Sequence, residues 1–114
     1  MKRWITVLCL SVTLGCAPST VLTVKLGKTL SYTDEKGDCL SAQYGRLSDG
    51  SLNFVKVKMP DGRAYTLPQA VSASGTRYTD DREIVWWENH GVVRVDVRGV
   101  NGEWAVKYPA LHQK

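Results

Sequence analysis

Cysteine and histidine are scarce in this chain, and no apolar run in it is long. Its 114 residues contain three cysteines and two histidines. With so few sulfur and imidazole ligands, a metal site of the His and Cys type has no support, and no cofactor is implied. Nor does any stretch repeat apolar residues at helical spacing for long enough to make a helix, so helices are not expected. A length of 114 residues accommodates one domain and leaves no room for a second core.

The chain starts "MKRWITVLCLSVTLGC", with Lys2 and Arg3 ahead of an apolar run from Trp4 to Leu14. That run is too short to span a bilayer, which takes about 20 residues. It reads as a secretory signal, residues 1–15. The ending "TLGC" is similar to the bacterial lipobox, in which the Cys after a small residue is acylated and becomes the mature N-terminus. Cys16 is the expected lipidation site and membrane attachment. Thr13 departs from the usual Leu, and a soluble exported form is the alternative. Residues 16–28 are expected to form the lipidated N-terminus and a tether, with "VLTVKL" open to being an added edge strand instead. The domain proper is expected over residues 29–114.

Without its signal the chain has 13 Lys and Arg against 11 acids, a formal +2. Acids and bases interleave, which argues against nucleic acid as a partner, since that needs basic residues gathered on one face. Cys9 leaves with the signal and Cys16 takes lipid, so Cys39 has no disulfide partner. As a small hydrophobe in "CLSAQY" it is expected to be buried.

From Leu30 onward the pattern is short β segments separated by turn residues. In "NFVKVKM" the side chains of Val55, Val57 and Met59 share one face, because successive residues of a strand alternate. Val93, Val95 and Val97 do the same in "VVRVDVR", and Trp104, Val106 and Tyr108 in "EWAVKY". Val55, Val57, Val93, Val95 and Trp104 are the expected core. Asp49-Gly50, Asp61-Gly62 and Asn101-Gly102 tolerate the positive φ angles of hairpin turns. The expected fold is all-β, a small antiparallel barrel of about seven to eight strands that leaves no edges, with a two-sheet sandwich as the alternative. Pro68 cannot donate to a ladder, so the strand holding Tyr65 and Leu67 is expected to stop there. Of Trp86 and Trp87, which face opposite ways, at least one belongs to the core.

Between those strands lies "SASGTRYTDDREIVWW", where Ser72, Ala73, Ser74 and Gly75 form a narrow ridge able to enter a cleft. With "YTLPQAV" ahead of it, this stretch resembles the bacterial membrane-bound and periplasmic inhibitors of C-type lysozyme (MliC/PliC), whose signature is a Ser-Gly-x-x-Tyr loop after a Leu-Pro strand end. The resemblance runs roughly from Tyr32 to Val97. It implies a β-barrel lipoprotein, not an enzyme, that plugs the active-site cleft of C-type lysozyme and protects peptidoglycan. The loop serine, Ser74 here, would meet the catalytic carboxylates. A retaining glycosidase holds its two carboxyl groups about 5–5.5 Å apart, and a hydroxyl bonds at about 2.7–2.8 Å, so one Oγ can touch both. One carboxyl is protonated and the other ionised, which suits a group that donates and accepts. Arg77 would reach further acids or the cleft rim, and Tyr78 would brace the loop or act as an aromatic anchor.

The resemblance also implies a second contact from a Trp-x-x-Lys-Gly loop. Here "WWENHG" lacks the lysine; His90 is its nearest match, with Asn89 or Glu88 as alternatives. An imidazole there would make binding strengthen as pH falls. The disulfide that the family often carries has only Cys39 to draw on. Ala17 in place of an Asp after the lipidated Cys implies the outer membrane, facing the periplasm. Ser74, His90 and Asp80, Asp81 or Asp96 supply the residue types of a triad, but "SASGT" lacks the glycine spacing of a nucleophile elbow and no helix follows it. The rival function is a non-inhibitory envelope lipoprotein that binds peptidoglycan or protein. Oligomeric state is not legible in the sequence.

Overall fold

The computed structural model describes residue 15 and residues 21–114. The signal peptide and Cys16 lie outside the described residues. Eight strands follow in chain order: β1 (Val24–Thr33), β2 (Cys39–Leu47), β3 (Asn53–Lys58), β4 (Ala64–Ala70), β5 (Thr76–Thr79), β6 (Ile84–Asn89), β7 (Val92–Arg98) and β8 (Trp104–Gln113). No helix occurs among the described residues. Each strand pairs antiparallel with the next, and β1 closes onto β8 through Tyr32–Gln113 and Thr33–His112, making a closed barrel and excluding the sandwich. Gly50, Gly62 and Gly102 all have positive φ, the conformation their Asp-Gly and Asn-Gly turns call for. Val24 opens β1, so the choice between tether and added strand falls to strand from that residue on.

Alternation fills the interior. Val55, Val57, Val93 and Val95 are fully or almost fully buried, Met59 nearly so, and Val97 packs against them at the edge of the core. Trp86 is at the centre, with Tyr32 edge-on to its ring at 5.3 Å between centroids. Trp87 faces outward and is half-buried, so the Trp pair divides as the pleat requires.

Three expectations fail, each for a reason in the ladder. Trp104 is 38% exposed and Val106 54%, although Tyr108 is buried. The β7–β8 register shifts on either side of Val95, so Trp104 and Val106 lie opposite Arg98 and Asp96 while Tyr108 lies opposite Val95. One extra residue inverts the faces of a strand. Trp104 is therefore outside, under the Arg98 guanidinium at 5.0 Å. Pro68 does not end its strand: β4 continues to Ala70, with Pro68 opposite Phe54 and its side chain exposed. Cys39 is exposed, because it opens β2 one position before the inward Leu40.

Candidate functional site

Antiparallel neighbours send alternate connections to opposite ends of the barrel. The start of β1, the β2–β3 and β6–β7 connections and the Val71–Gly75 segment between β4 and β5 therefore share one end. That end holds an open cavity of about 760 Å³, lined among others by Leu26, Leu30, Tyr32, Tyr44, Tyr78 and Glu88.

The Val71–Gly75 loop is fastened to β6 by its backbone. The Ser74 carbonyl accepts from the Trp87 indole Nε1 at 2.9 Å and also from the Ser72 hydroxyl. The Ser74 side chain is exposed. Gly75 has φ +63, and a Cβ on it would stand 2.3 Å from the Glu88 carbonyl oxygen. Only a residue without a side chain lets the loop lie this close to β6. The Arg94 guanidinium covers the Trp87 ring at 4.9 Å, so the indole that holds the loop is itself held.

The expected site residues divide among five places. Ser74 and Asn89 line one shallow groove with Trp87 and Arg94. His90 and Gly91, with φ of 51 and 80, are the central pair of a two-residue turn between Asn89 and Val92, which puts an exposed imidazole at the tip next to the loop. Glu88 points the other way, into the barrel mouth. Arg77, opposite Trp87, alternates with the inward Tyr78 and so lies on the outer wall, 3.9 Å from Asp81. Tyr78 is only 7% exposed and packs in the core against Tyr44.

A hydrogen-bonded chain links the core to the mouth. The Trp86 indole donates to the Tyr44 hydroxyl at 3.0 Å, and that hydroxyl donates to Glu88 Oε2 at 2.7 Å. Burial, then hydrogen bonding with Tyr32 and Glu88, pushes the Tyr44 phenol far above its ordinary value, so it remains a donor. Burial, with the Glu88 charge behind it, also raises Tyr78. At the opposite end, Asp80 Oδ1 accepts from the backbone of Arg82 and Glu83 at 2.9 Å and of Ile84 at 3.3 Å. Burial opposes its charge, but these bonds together hold its carboxyl below its ordinary value.

Tyr44 and the clamp formed by Trp87 and Arg94 are absent from the sequence expectations. The inward positions Leu40, Ala42 and Tyr44 of β2 carry the signal for Tyr44 in their alternation. No local signal connects Tyr44 with Glu88, 44 residues away. Among the described residues no cluster of three or more His, Cys, Asp or Glu is placed to hold a metal.

The family described as membrane-bound lysozyme-inhibitor of c-type lysozyme, MliC, matches residues 32–104. Among solved structures, the chain resembles Pseudomonas aeruginosa MliC, crystallised in complex with hen egg white lysozyme. Identity is 18% and the TM-score 0.60, covering 86% of this chain and 91% of that one. No curated protein matches.

Proposed function

The chain belongs to the MliC family, and from that premise we propose that it inhibits a C-type lysozyme by inserting the Ser72–Gly75 loop into the active-site cleft. One observation carries the proposal. The loop is pinned through the doubly accepting Ser74 carbonyl and through Gly75, while the Ser74 side chain faces solvent. A binding loop held in one shape before contact loses less entropy on association. The small side chains give it the width to reach the carboxylate pair, where the Ser74 hydroxyl donates to one oxygen and accepts from the protonated partner. Asn89 and His90, on the neighbouring strand end and turn, supply the second contact, and Arg77 on the outer wall leaves Asp81 to reach the rim. The consequence is that peptidoglycan is spared hydrolysis.

Residues 1–15 act as the signal peptide in this proposal. Cys16 carries the lipid, and the barrel is held at the outer membrane facing the periplasm. Two acyl chains or more make release negligible, so Cys16→Ala changes processing and membrane fractionation.

The loop is tested by titrating hen egg white lysozyme activity with the wild type, Ser74→Ala and Ser74→Trp. Ser74→Ala leaves a carboxylate oxygen unpaired and weakens inhibition by about 1–3 kcal/mol, roughly fivefold to 150-fold. Ser74→Trp collides with the cleft floor and largely abolishes it, with folding intact because position 74 is exposed. Full inhibition by a folded Ser74→Trp protein sinks the loop mechanism. Envelope binding without any effect on lysozyme would leave the non-inhibitory lipoprotein as the function.

A further inference from the structure

The barrel mouth contains a carboxylate that the inserting loop does not use. Glu88 is half-buried in the cavity, its Oε2 held by Tyr44, and none of the ion pairs among the described residues includes it. A carboxylate drawn out of bulk water gains most from a cation, and removal of its water makes that pairing stronger. The walls suit a cation as well. Tyr32, Tyr44 and Tyr78 bring three aromatic rings to the same cavity, and Leu26 and Leu30 give apolar surface for a hydrocarbon stem. The volume of about 760 Å³ admits a whole long side chain and part of the segment that carries it. The opening lies at the same end of the barrel as Ser74, within reach of a protein seated on the loop.

We infer that this mouth is a socket for an arginine or lysine side chain of the bound lysozyme, with the Glu88 carboxylate as its receptor. The inference rests on lysozyme being the partner and adds a contact running opposite to the loop: the inhibitor enters the enzyme at Ser74, and the enzyme enters the inhibitor at Glu88. It also separates Glu88 from Asn89 and His90. A carboxylate in the place of the family's lysine would repel the acids of the cleft, and turning Glu88 inward removes that repulsion. Lys25 and Arg46 line the same cavity, but both are exposed whereas Glu88 is half-buried, and neither pairs with Glu88 within 4.0 Å, which leaves its carboxylate free for an incoming cation.

The test measures the affinity of the full chain for hen egg white lysozyme in the wild type, Glu88→Gln, Tyr44→Phe and Ser74→Trp, each with a melting curve. Glu88→Gln retains an acceptor for Tyr44 and loses only the charge; affinity is expected to fall tenfold or more with melting unchanged. Tyr44→Phe keeps the carboxylate and the ring and removes only the hydroxyl that positions Glu88, so its loss of affinity is expected to be clearly smaller than that of Glu88→Gln. Equal losses in the two variants would make Glu88 an internal brace and overturn the socket. So would unchanged affinity in Glu88→Gln, and with Ser74→Trp still failing to bind, that result leaves the loop mechanism standing. A wild type that does not bind lysozyme removes both. N-acetylglucosamine oligomers that shift the amide resonances around Glu88, with lysozyme affinity indifferent to Glu88→Gln, would assign the cavity to a glycan instead.

Discussion

Replacing Gly75 by Ala adds one methyl group at the tightest backbone contact of the proposed inhibitory end. The new Cβ would lie 2.3 Å from the Glu88 carbonyl oxygen and 3.2 Å from Asn89 Cβ, where ordinary contact begins at 3.4 Å. The loop must therefore lift by about an ångström, since the obstacle is the backbone of a paired strand and cannot yield. A left-handed φ of 63 also costs an L-residue about 1–2 kcal/mol. Lifting stretches the bond from Trp87 to the Ser74 carbonyl, worth about 0.5–1.5 kcal/mol. Together these come to about 2–3 kcal/mol, which lowers the melting temperature of a domain this size by roughly 10–20 °C. Inhibition of lysozyme should weaken tenfold or more as the loop loses its fixed shape. Gly62→Ala is the control: its φ is 92 but its Cβ would meet nothing within 4 Å, so only the backbone cost of about 1–2 kcal/mol applies and inhibition is kept. Calorimetry and activity titration on the two variants suffice. A Gly75→Ala protein that melts within a degree or two of the wild type and inhibits equally would refute the docked loop.

The inverted face of β8 predicts unequal losses from two tryptophans: Trp86→Ala, fully buried, should cost about 3–5 kcal/mol, and Trp104→Ala, 38% exposed, well under half of that by denaturant titration. Asp80 has a folded pKa below its ordinary value of 3.8, so its stabilisation is complete above that value and is lost as pH falls through the folded one. Acid titration of Asp80→Asn should accordingly show a flatter decline below about pH 4 than the wild type. His90→Lys restores the charge of the family's second contact and should tighten lysozyme binding. The same change should lower the melting temperature by a few degrees, because His tolerates φ near +51 better than Lys does. His90→Asn should hold or raise it.

Much of the barrel was legible from two-residue periodicity because β3 and β6 keep an unbroken register with both neighbours and β7 keeps one with β6. Each residue of Val55, Val57, Val93 and Val95 has one inward position open to it, and apolar character selects that position. The Asp-Gly and Asn-Gly turns carried their own conformational signal. β8 shows the limit of this logic. A bulge is a relation between two strands, and nothing within "EWAVKY" records that β7 opposes it with one residue fewer. Pro68 misleads in a similar way: it sits in a ladder whose neighbour β5 reaches only Gln69 and Ala70, so its missing N–H costs that edge nothing.

Local sequence thus determined the class of fold, the hairpin turns, most of the inward faces and the composition of the narrow loop, since all of these depend on residues within a few positions of each other. Tertiary structure decided which way the functional side chains point. Ser74, Asn89 and the Trp87–Arg94 clamp meet only because β5, β6 and β7 are neighbours at one end of a closed barrel. Glu88 and Asn89 are adjacent in the chain yet face the mouth and the outer groove, because the pleat separates them by half a turn. Tyr44 finds Glu88 across 44 residues once closure brings β2 and β6 to face each other over the cavity. A carboxylate gains its character as a receptor from burial, and burial belongs to the assembled barrel rather than to any segment of the chain.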